Sequence, residues 1–126
     1  MIEAITELPP GVLGFKASGK ITGGEYRDMM KPIYDLLEKG GPVNLLFVVG
    51  DDFSGLDLEA LWEDMKAGGS VGLKHRSAWR RMALVTNKDW IRYGAAGFGW
   101  LAPGELRVFD LDKRADAVTW LAEGGV

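Results

Sequence analysis

The sequence of 126 residues has the length of one domain, and we assign residues 1–126 to a single unit. Its 15 basic and 18 acidic residues give a formal net charge of −3, which provides no general attraction to nucleic acid or to an anionic membrane surface. The absence of cysteine excludes disulfides, thiolate metal sites and a cysteine nucleophile. The first ten residues carry acids where a signal peptide needs bases, and no apolar run approaches the ~20 residues of a membrane span. We therefore expect a cytoplasmic protein with no transmembrane segment and no nucleic-acid partner.

Two short extended runs open the chain. Residues 1–8 alternate loosely between apolar and polar side chains, and residues 12–18 resume the alternation. Pro9, Pro10 and Gly11 separate the two runs. Short alternating runs joined by a proline and glycine cluster are typical of an antiparallel hairpin.

The first predicted helix follows this hairpin. Thr22 and Glu25 have the spacing of a capping box, in which each side chain satisfies the backbone amide of the other residue. Gly40, Gly41 and Pro42 mark its end, because glycine is favoured just after a helix and proline cannot continue one. Apolar residues recur between these signals with helical spacing, at Tyr26, Met29, Met30, Ile33, Tyr34, Leu36 and Leu37.

A short apolar run, Val43 to Val49, stops abruptly at Gly50, Asp51 and Asp52. A run of this length and composition predicts a strand buried on both faces, as in the middle of a parallel sheet. Open α/β sheets place their functional loops at the carboxyl ends of such strands. The turn after this strand is therefore the first candidate for a functional site.

The rest of the chain alternates between helices and strands. The predicted elements are a helix capped by Asp57, a strand at Arg81–Thr86, a helix capped by Asn87, a strand at Leu106–Asp110 and a helix opened by Asp112. In the terminal helix we place three residues inward: Ala115, Val118 and Leu121. The order β-β-α-β-α-β-α-β-α predicts an α/β fold with a mostly parallel five-stranded sheet, an N-terminal hairpin and four helices.

This order, together with several segments, resembles the SpoIIAA-like family and its STAS-related fold. The resemblance lies in Gly19-Lys20-Ile21-Thr22 with Tyr26 and Pro32, Leu61-Trp62-Glu63-Asp64, Arg81-Met82-Ala83-Leu84-Val85 with Trp90, and Arg107-Val108-Phe109 with Ala117-Val118-Thr119-Trp120-Leu121. It implies a small cytoplasmic bacterial domain, similar in shape to sigma-factor regulators and to CRAL–TRIO lipid carriers. It also implies that the helices lie mainly on one side of the sheet. An apolar strand would then have one uncovered face, which predicts a homodimer or a captured apolar ligand.

The same resemblance makes Ser54 a candidate regulatory phosphorylation site. Anti-sigma-factor antagonists present a phosphorylatable serine in an Asp-Ser-Ser-Gly-like turn, and this sequence has Asp52-Phe53-Ser54-Gly55. Phe53 replaces the first serine of the pattern. Asp51, Asp52 and Asp57 would also repel a phosphate on Ser54.

No catalytic constellation emerges from the remaining polar residues. Asp51, Asp52, Thr86 and Lys113 match parts of a phospho-acceptor receiver site, but the end of the first parallel strand offers no further carboxylate to hold Mg²⁺. His75 is the only histidine in the sequence, so a zinc site lacks ligands. The Gly-x-Ser-x-Gly motif of serine hydrolases is also absent. We predict no enzyme activity, no metal and no cofactor.

One basic cluster is a candidate for binding a lipid headgroup or another anion. It comprises Lys74, His75, Arg76 and Arg80, next to Trp79 and Arg81. The alternative is a solvated helix end, where basic side chains oppose the helix dipole.

A set of large apolar residues is the candidate surface for an apolar ligand or a protein partner. Its members are Phe53, Trp62, Met65, Trp90, Phe98 and Trp100. Core packing is the alternative for them, and the small residues from Gly94 to Gly97 are expected to permit close helix packing or to make the helix loose and mobile. We therefore predict a non-enzymatic module that binds a small apolar or lipid-like ligand or a protein partner. The alternative is a STAS-type regulatory module controlled by phosphorylation at Ser54.

Overall fold

A computed structural model describes residues 1–56, 78–98 and 104–123, together with Glu59 and Glu63, and leaves aside the side chains of Leu56, Ala96 and Phe98. Its strands are β1 (Ile2–Ala4), β2 (Val12–Ala17), β3 (Lys20–Ile21), β4 (Val43–Val49), β5 (Gly55–Leu56), β6 (Trp79–Thr86) and β7 (Glu105–Phe109). Its α-helices are α1 (Gly23–Glu38), α2 (Asp89–Phe98) and α3 (Arg114–Ala122), the last preceded by a 3₁₀ turn at Leu111–Lys113.

Five strands form one sheet in the order β1-β2-β4-β6-β7. β1 is antiparallel to β2, whereas β2, β4, β6 and β7 run parallel to their neighbours. The separate pair of β3 and β5 is also parallel. The predicted N-terminal hairpin and mostly parallel five-stranded sheet are thus confirmed.

Of the four predicted helices, three lie within the described ranges. The predicted helix after Asp57 falls outside them, apart from Glu59 and Glu63, which are both helical and exposed. Among the described residues, no helix is long and apolar enough to cross a membrane.

Local signals set both ends of α1, as predicted. The Thr22 hydroxyl accepts from the Glu25 amide at 3.2 Å, and the Glu25 carboxylate accepts from the Thr22 amide at 3.4 Å. At the other end, the Gly40 amide donates to the Leu37 carbonyl and the Gly41 amide to the Leu36 carbonyl. Both glycines have positive φ, at 99° and 70°, where glycine avoids the steric penalty of a Cβ.

Glu25 also ties α1 to the start of the chain. Its carboxylate accepts from the Ile2 amide at 2.9 Å and lies 3.1 Å from the N-terminal ammonium group of Met1. Donation by this ammonium group is the largest cause of a lowered pKa of the Glu25 carboxyl. The Thr22 amide and hydroxyl lower the pKa further, while desolvation opposes them.

Helices cover both faces of the sheet, so the predicted uncovered face is wrong. Successive side chains of a strand point to opposite faces. Val43 of β4 packs with Ile33 and Leu37 of α1 in one buried cluster. Leu46, on the opposite face of β4, packs with Leu121 of α3 in another. The chain thus supplies its own cover on each side, which removes the geometric reason for the predicted homodimer.

The central strand is less uniformly buried than its composition predicts. Leu46, Val48 and Val49 are buried, but Leu45 and Phe47 are half-exposed. The prediction that all five are buried is therefore wrong for two of them. Both half-buried positions lie on the face covered by α1.

The terminal helix begins later than predicted and buries part of the predicted set. The 3₁₀ turn at Leu111–Lys113 precedes α3, so the α-helical phase starts at Arg114 rather than at Asp112. Leu121 is buried as predicted and Val118 is half-buried, but Ala115, also predicted inward, is exposed. The other buried side chains of the helix are those of Ala117 and Trp120.

Arg81 fixes the end of α3 to the sheet. Its guanidinium donates to the Trp120 carbonyl at 2.6 Å and lies 4.8 Å from the centre of the Trp120 ring. Arg107 approaches the same ring at 5.3 Å. A cation near the carbonyl end of a helix also opposes the helix dipole favourably.

The prediction that Asn87 caps the helix after β6 is also wrong. Its side-chain oxygen accepts from the Leu111 amide at 3.0 Å, so Asn87 links β6 to the turn before α3. The Thr86 hydroxyl accepts from the Lys88 amide at 3.1 Å instead. The α-helix then starts at Asp89.

Candidate functional site

A cavity of about 440 Å³ lies over the face of the sheet that α1 covers. Phe47 and Val49 of β4 and Leu84 of β6 form its floor. Phe47 pairs directly with Leu84 across the two parallel strands, which brings their side chains together on this face. The half-exposed state of Phe47 and Leu84 follows from their position on this floor.

Aromatic side chains from three elements form the cavity walls. Tyr26 comes from α1, Phe53 from the turn after β4 and Trp90 from the first turn of α2. Phe53 is 8% exposed, whereas Trp90 is 63% exposed. Their rings stack with centroids 6.2 Å apart and an interplanar angle of 28°, so Trp90 covers Phe53.

Backbone hydrogen bonds hold the turn that carries Phe53. The Phe53 amide donates to the Gly50 carbonyl at 3.1 Å, and the Ser54 amide donates to the Gly19 carbonyl at 2.9 Å. The Gly19 amide donates in return to the Asp52 carbonyl at 3.1 Å. These bonds connect the turn after β4 to the residues between β2 and β3, so the position of Phe53 is well defined.

The remaining wall consists of small and medium residues of α2: Ile91, Gly94 and Ala95. A Cβ built on Gly94 would meet no described atom within 4 Å, and the same holds for Gly97. The described part of the chain therefore shows no close helix packing at these two glycines. Gly94 instead leaves room on the cavity side of the helix.

Among the described residues, the lining carries no charged side chain. Its polar side-chain groups are the Tyr26 hydroxyl and the Trp90 indole N–H. Charged residues adjacent in sequence lie outside the lining: Asp52 precedes Phe53 and is exposed, and Arg92 follows Ile91 and pairs with Asp110. The cavity is an apolar chamber with a few weak polar features.

Ser54, the predicted regulatory site, lies on the surface beside this chamber. It is exposed, while its neighbour Phe53 points into the lining. Asp51 and Asp52 are exposed in the same turn. The third predicted neighbour, Asp57, lies outside the described residues.

One residue of the receiver-like set is engaged in local structure. The hydroxyl of Thr86, which is fully buried, accepts from the Lys88 backbone amide. Among the described residues, no group of three or more histidine, aspartate or glutamate side chains could hold a metal ion.

Two of the six predicted apolar site residues, Phe53 and Trp90, meet in the cavity. Phe98 ends α2, and its side chain lies outside the described part of the chain, as do three whole residues: Trp62, Met65 and Trp100.

The predicted basic cluster is described only in part. Arg80 is exposed on β6, and the other candidates, Lys74, His75 and Arg76, lie outside the described residues. Arg81, the neighbour of the cluster, is engaged with Trp120 and with Glu105 at 3.7 Å.

Most of the lining was not identified from the sequence as part of a site. The sequence pattern assigns Tyr26 to helix packing and assigns Phe47 and Val49 to strand packing, because apolar residues with this spacing favour the core. The one available signal was the pair Gly94 and Ala95, because small residues inside an apolar helix leave space unless another element fills it.

Comparison with known proteins assigns the chain to a family. No curated protein matches the chain. A solved structure of an uncharacterized protein of the DUF3478 family from Shewanella loihica PV-4, with a SpoIIAA-like fold, is similar in sequence and shape. The two share 28% sequence identity over 96% of this chain and 94% of that chain, with a TM-score of 0.72. The family model described as SpoIIAA-like matches residues 12–122. This chain therefore belongs to the SpoIIAA-like family.

Proposed function

We propose that this protein is a non-enzymatic binding module that holds a small apolar ligand in the cavity between α1 and α2. The observation that carries the proposal is a cavity of about 440 Å³ whose described lining residues include no charged side chain. Ligand sites are typically concave, mostly apolar and roughly 300–1,000 Å³ in volume. The cavity agrees with this description in size and in chemistry.

The expected affinity is moderate. Burial of apolar surface contributes roughly 25 cal/mol per Å², so a ligand that buries about 300 Å² gains about 7 kcal/mol before the entropic cost of association. Preorganisation of the site reduces that cost. The hydrogen bonds that hold the turn carrying Phe53 supply part of this preorganisation. A gain of about 7 kcal/mol with no remaining cost corresponds to a dissociation constant of roughly 10 μM, so we expect dissociation constants of about 10 μM or weaker.

A binding role fits this lining better than catalysis does. General acid–base and nucleophilic catalysis require positioned groups with matched pKa values. The lining contributes carbon surfaces, one phenol and one indole N–H. An apolar cavity of this kind can recognise shape, and its described lining residues include no paired groups that would drive a reaction.

A pair of glycine variants tests the proposal. Gly94→Leu places a branched side chain into the cavity, whereas Gly97→Leu adds the same side chain to α2 outside the lining. Both changes raise helix propensity by a similar amount, so they are matched in their effect on α2 itself. Circular dichroism checks that both variants fold.

Native mass spectrometry of protein from its own host then reads out the ligand. We expect the wild type and Gly97→Leu to retain an additional apolar mass and Gly94→Leu to lose it. An additional mass that persists in Gly94→Leu would place the ligand elsewhere. The proposed function would be contradicted if the wild type and both variants carried no ligand and none of the three bound added apolar compounds.

The alternative function is a regulatory switch at Ser54. The exposure of this residue, on a turn held by the Gly19 hydrogen bonds, favours access by a kinase. Asp51 and Asp52 are exposed in the same turn and would repel a phosphate. Phosphopeptide mapping of protein from its host decides this alternative, since stoichiometric phosphate on Ser54 would support it.

A protein partner or a second copy of the chain could also use the exposed Trp90 and Tyr93 side chains of α2. We give the small ligand preference over the homodimer because α1 and α3 cover opposite faces of the sheet. Sedimentation velocity at micromolar concentration tests the predicted homodimer directly.

A further inference from the structure

The lining of the cavity also indicates a class of ligand. We propose that the ligand is an uncharged molecule of two or three aromatic rings, rather than a fatty acid or another linear anion. This inference rests on the proposed function, and it uses three independent features of the lining: its rings, its volume and its lack of charge.

The first feature is the share of aromatic side chains. Four of the nine described lining residues are aromatic, and they come from different elements: Tyr26, Phe47, Phe53 and Trp90. Aromatic contacts contribute about 2- to 10-fold in affinity per pair beyond simple burial. The stacked rings of Phe53 and Trp90 show that this wall already accommodates parallel aromatic surfaces. A flat aromatic ligand would gain these contacts, and a flexible chain would not.

The second feature is volume. A protein cavity of about 150 Å³ accommodates a single benzene ring. The present cavity of about 440 Å³ is close to three times that size. Gly94 and Ala95 keep the α2 side of this volume open, because neither carries a side chain beyond Cβ. The space suits two or three rings.

The third feature is charge. An ionised group inside an apolar site is unfavourable unless a counter-charge pairs with it. The described lining residues supply none. Among the described neighbours in sequence, Arg92 is paired with Asp110, Lys88 and Asp89 have opposite charges, as do Glu25 and Arg27 on either side of Tyr26, and exposed Asp52 precedes Phe53. A carboxylate or sulfonate on the ligand would therefore lower its affinity.

Two fluorescent probes with one aromatic skeleton test the charge preference. N-phenyl-1-naphthylamine is neutral, and 8-anilinonaphthalene-1-sulfonate carries the same three rings with an added sulfonate. We expect saturable one-to-one binding of the neutral probe to the wild type, at least about tenfold tighter than that of the anionic probe. Gly94→Leu should weaken the neutral probe at least about tenfold, and Gly97→Leu should leave it within about twofold.

Displacement of the neutral probe by 1-dodecanol, an uncharged linear molecule, tests the preference for rings. Weak displacement supports the inference. A second outcome is that the anionic probe or dodecanol binds more tightly than the neutral probe and that Gly94→Leu abolishes that binding. The cavity then binds apolar ligands, but the inference that they are aromatic and uncharged is refuted. If Gly94→Leu changes the binding of none of the three compounds, both the inference and the proposed function fail.

Discussion

Two neighbouring residues of β4 provide a direct test of whether the cavity exists in solution. Leu46 is fully buried between the sheet and α3, whereas Phe47 is half-exposed and borders the cavity on the opposite face. The substitutions Leu46→Ala and Phe47→Ala therefore truncate adjacent side chains in different surroundings. In an ordinary core the larger phenylalanine would be the costlier one to lose.

The structure predicts the reverse order. Leu46 packs in one cluster with Val85, Ala117 and Leu121, all fully buried or nearly so. Its truncation leaves a closed cavity, and such leucine-to-alanine changes reduce the free energy of unfolding by about 3–5 kcal/mol. Full burial of a phenylalanine side chain contributes roughly 1.5–3 kcal/mol, so loss of the half-buried Phe47 ring should reduce it by about 1–2 kcal/mol. The lost ring would merely enlarge existing space.

Urea unfolding followed by far-UV circular dichroism measures both changes. The dependence of the unfolding free energy on urea should be the same in wild type and variants, so that the midpoints report stability alone. Domains of this kind are stable by about 5–15 kcal/mol, which makes both losses measurable. Equal losses, or a larger loss for Phe47→Ala, would show that its ring is packed on all sides and that the cavity is closed in solution.

Three further predictions concern stability. Glu25→Gln should destabilise the protein at neutral pH. Its difference in stability from the wild type should shrink below pH 4.5, as the pH falls through the lowered pKa of the Glu25 carboxyl, and thermal melts across pH measure this difference. Arg81→Met should reduce the free energy of unfolding by about 1–2 kcal/mol in urea titrations, because the Trp120 carbonyl loses a charged donor. Gly104→Ala should lower the melting temperature, with a loss of about 1–3 kcal/mol, because the new Cβ would lie 2.7 Å from the Arg80 carbonyl oxygen.

Each of these has an outcome that would contradict it. A difference between wild type and Glu25→Gln that grows as the pH falls would reverse the expected sign, since a lowered carboxyl pKa stabilises the folded state only above that pKa. An unfolding midpoint unchanged in Arg81→Met would mean that water replaces the guanidinium at the Trp120 carbonyl. Gly97→Ala is the control for Gly104→Ala, because no described atom lies within 4 Å of the added Cβ. Equal effects of the two alanines would exclude a steric cause.

Locally encoded features of the fold were predictable from the sequence. The capping pair Thr22 and Glu25 and the glycines Gly40 and Gly41 act within one helical turn of the ends that they define. The apolar run from Val43 to Val49 likewise predicted a central parallel strand, because strand burial and composition are closely linked. Such signals depend on a few consecutive residues, so they can be read without knowledge of the fold.

Tertiary structure alone decided the cover of the sheet and the cavity. Leu46 and Phe47 are equally apolar neighbours in sequence, yet one packs beneath α3 and the other borders open space beside Gly94. Asn87 is of a residue type that favours helix caps, yet its side-chain oxygen accepts from the backbone amide of Leu111, 24 residues later. In each case the outcome depends on which distant element comes within contact distance. The chemistry of a side chain determines whether it favours apolar or polar surroundings. Only the arrangement of the helices around the sheet determines which surroundings it has in the folded protein.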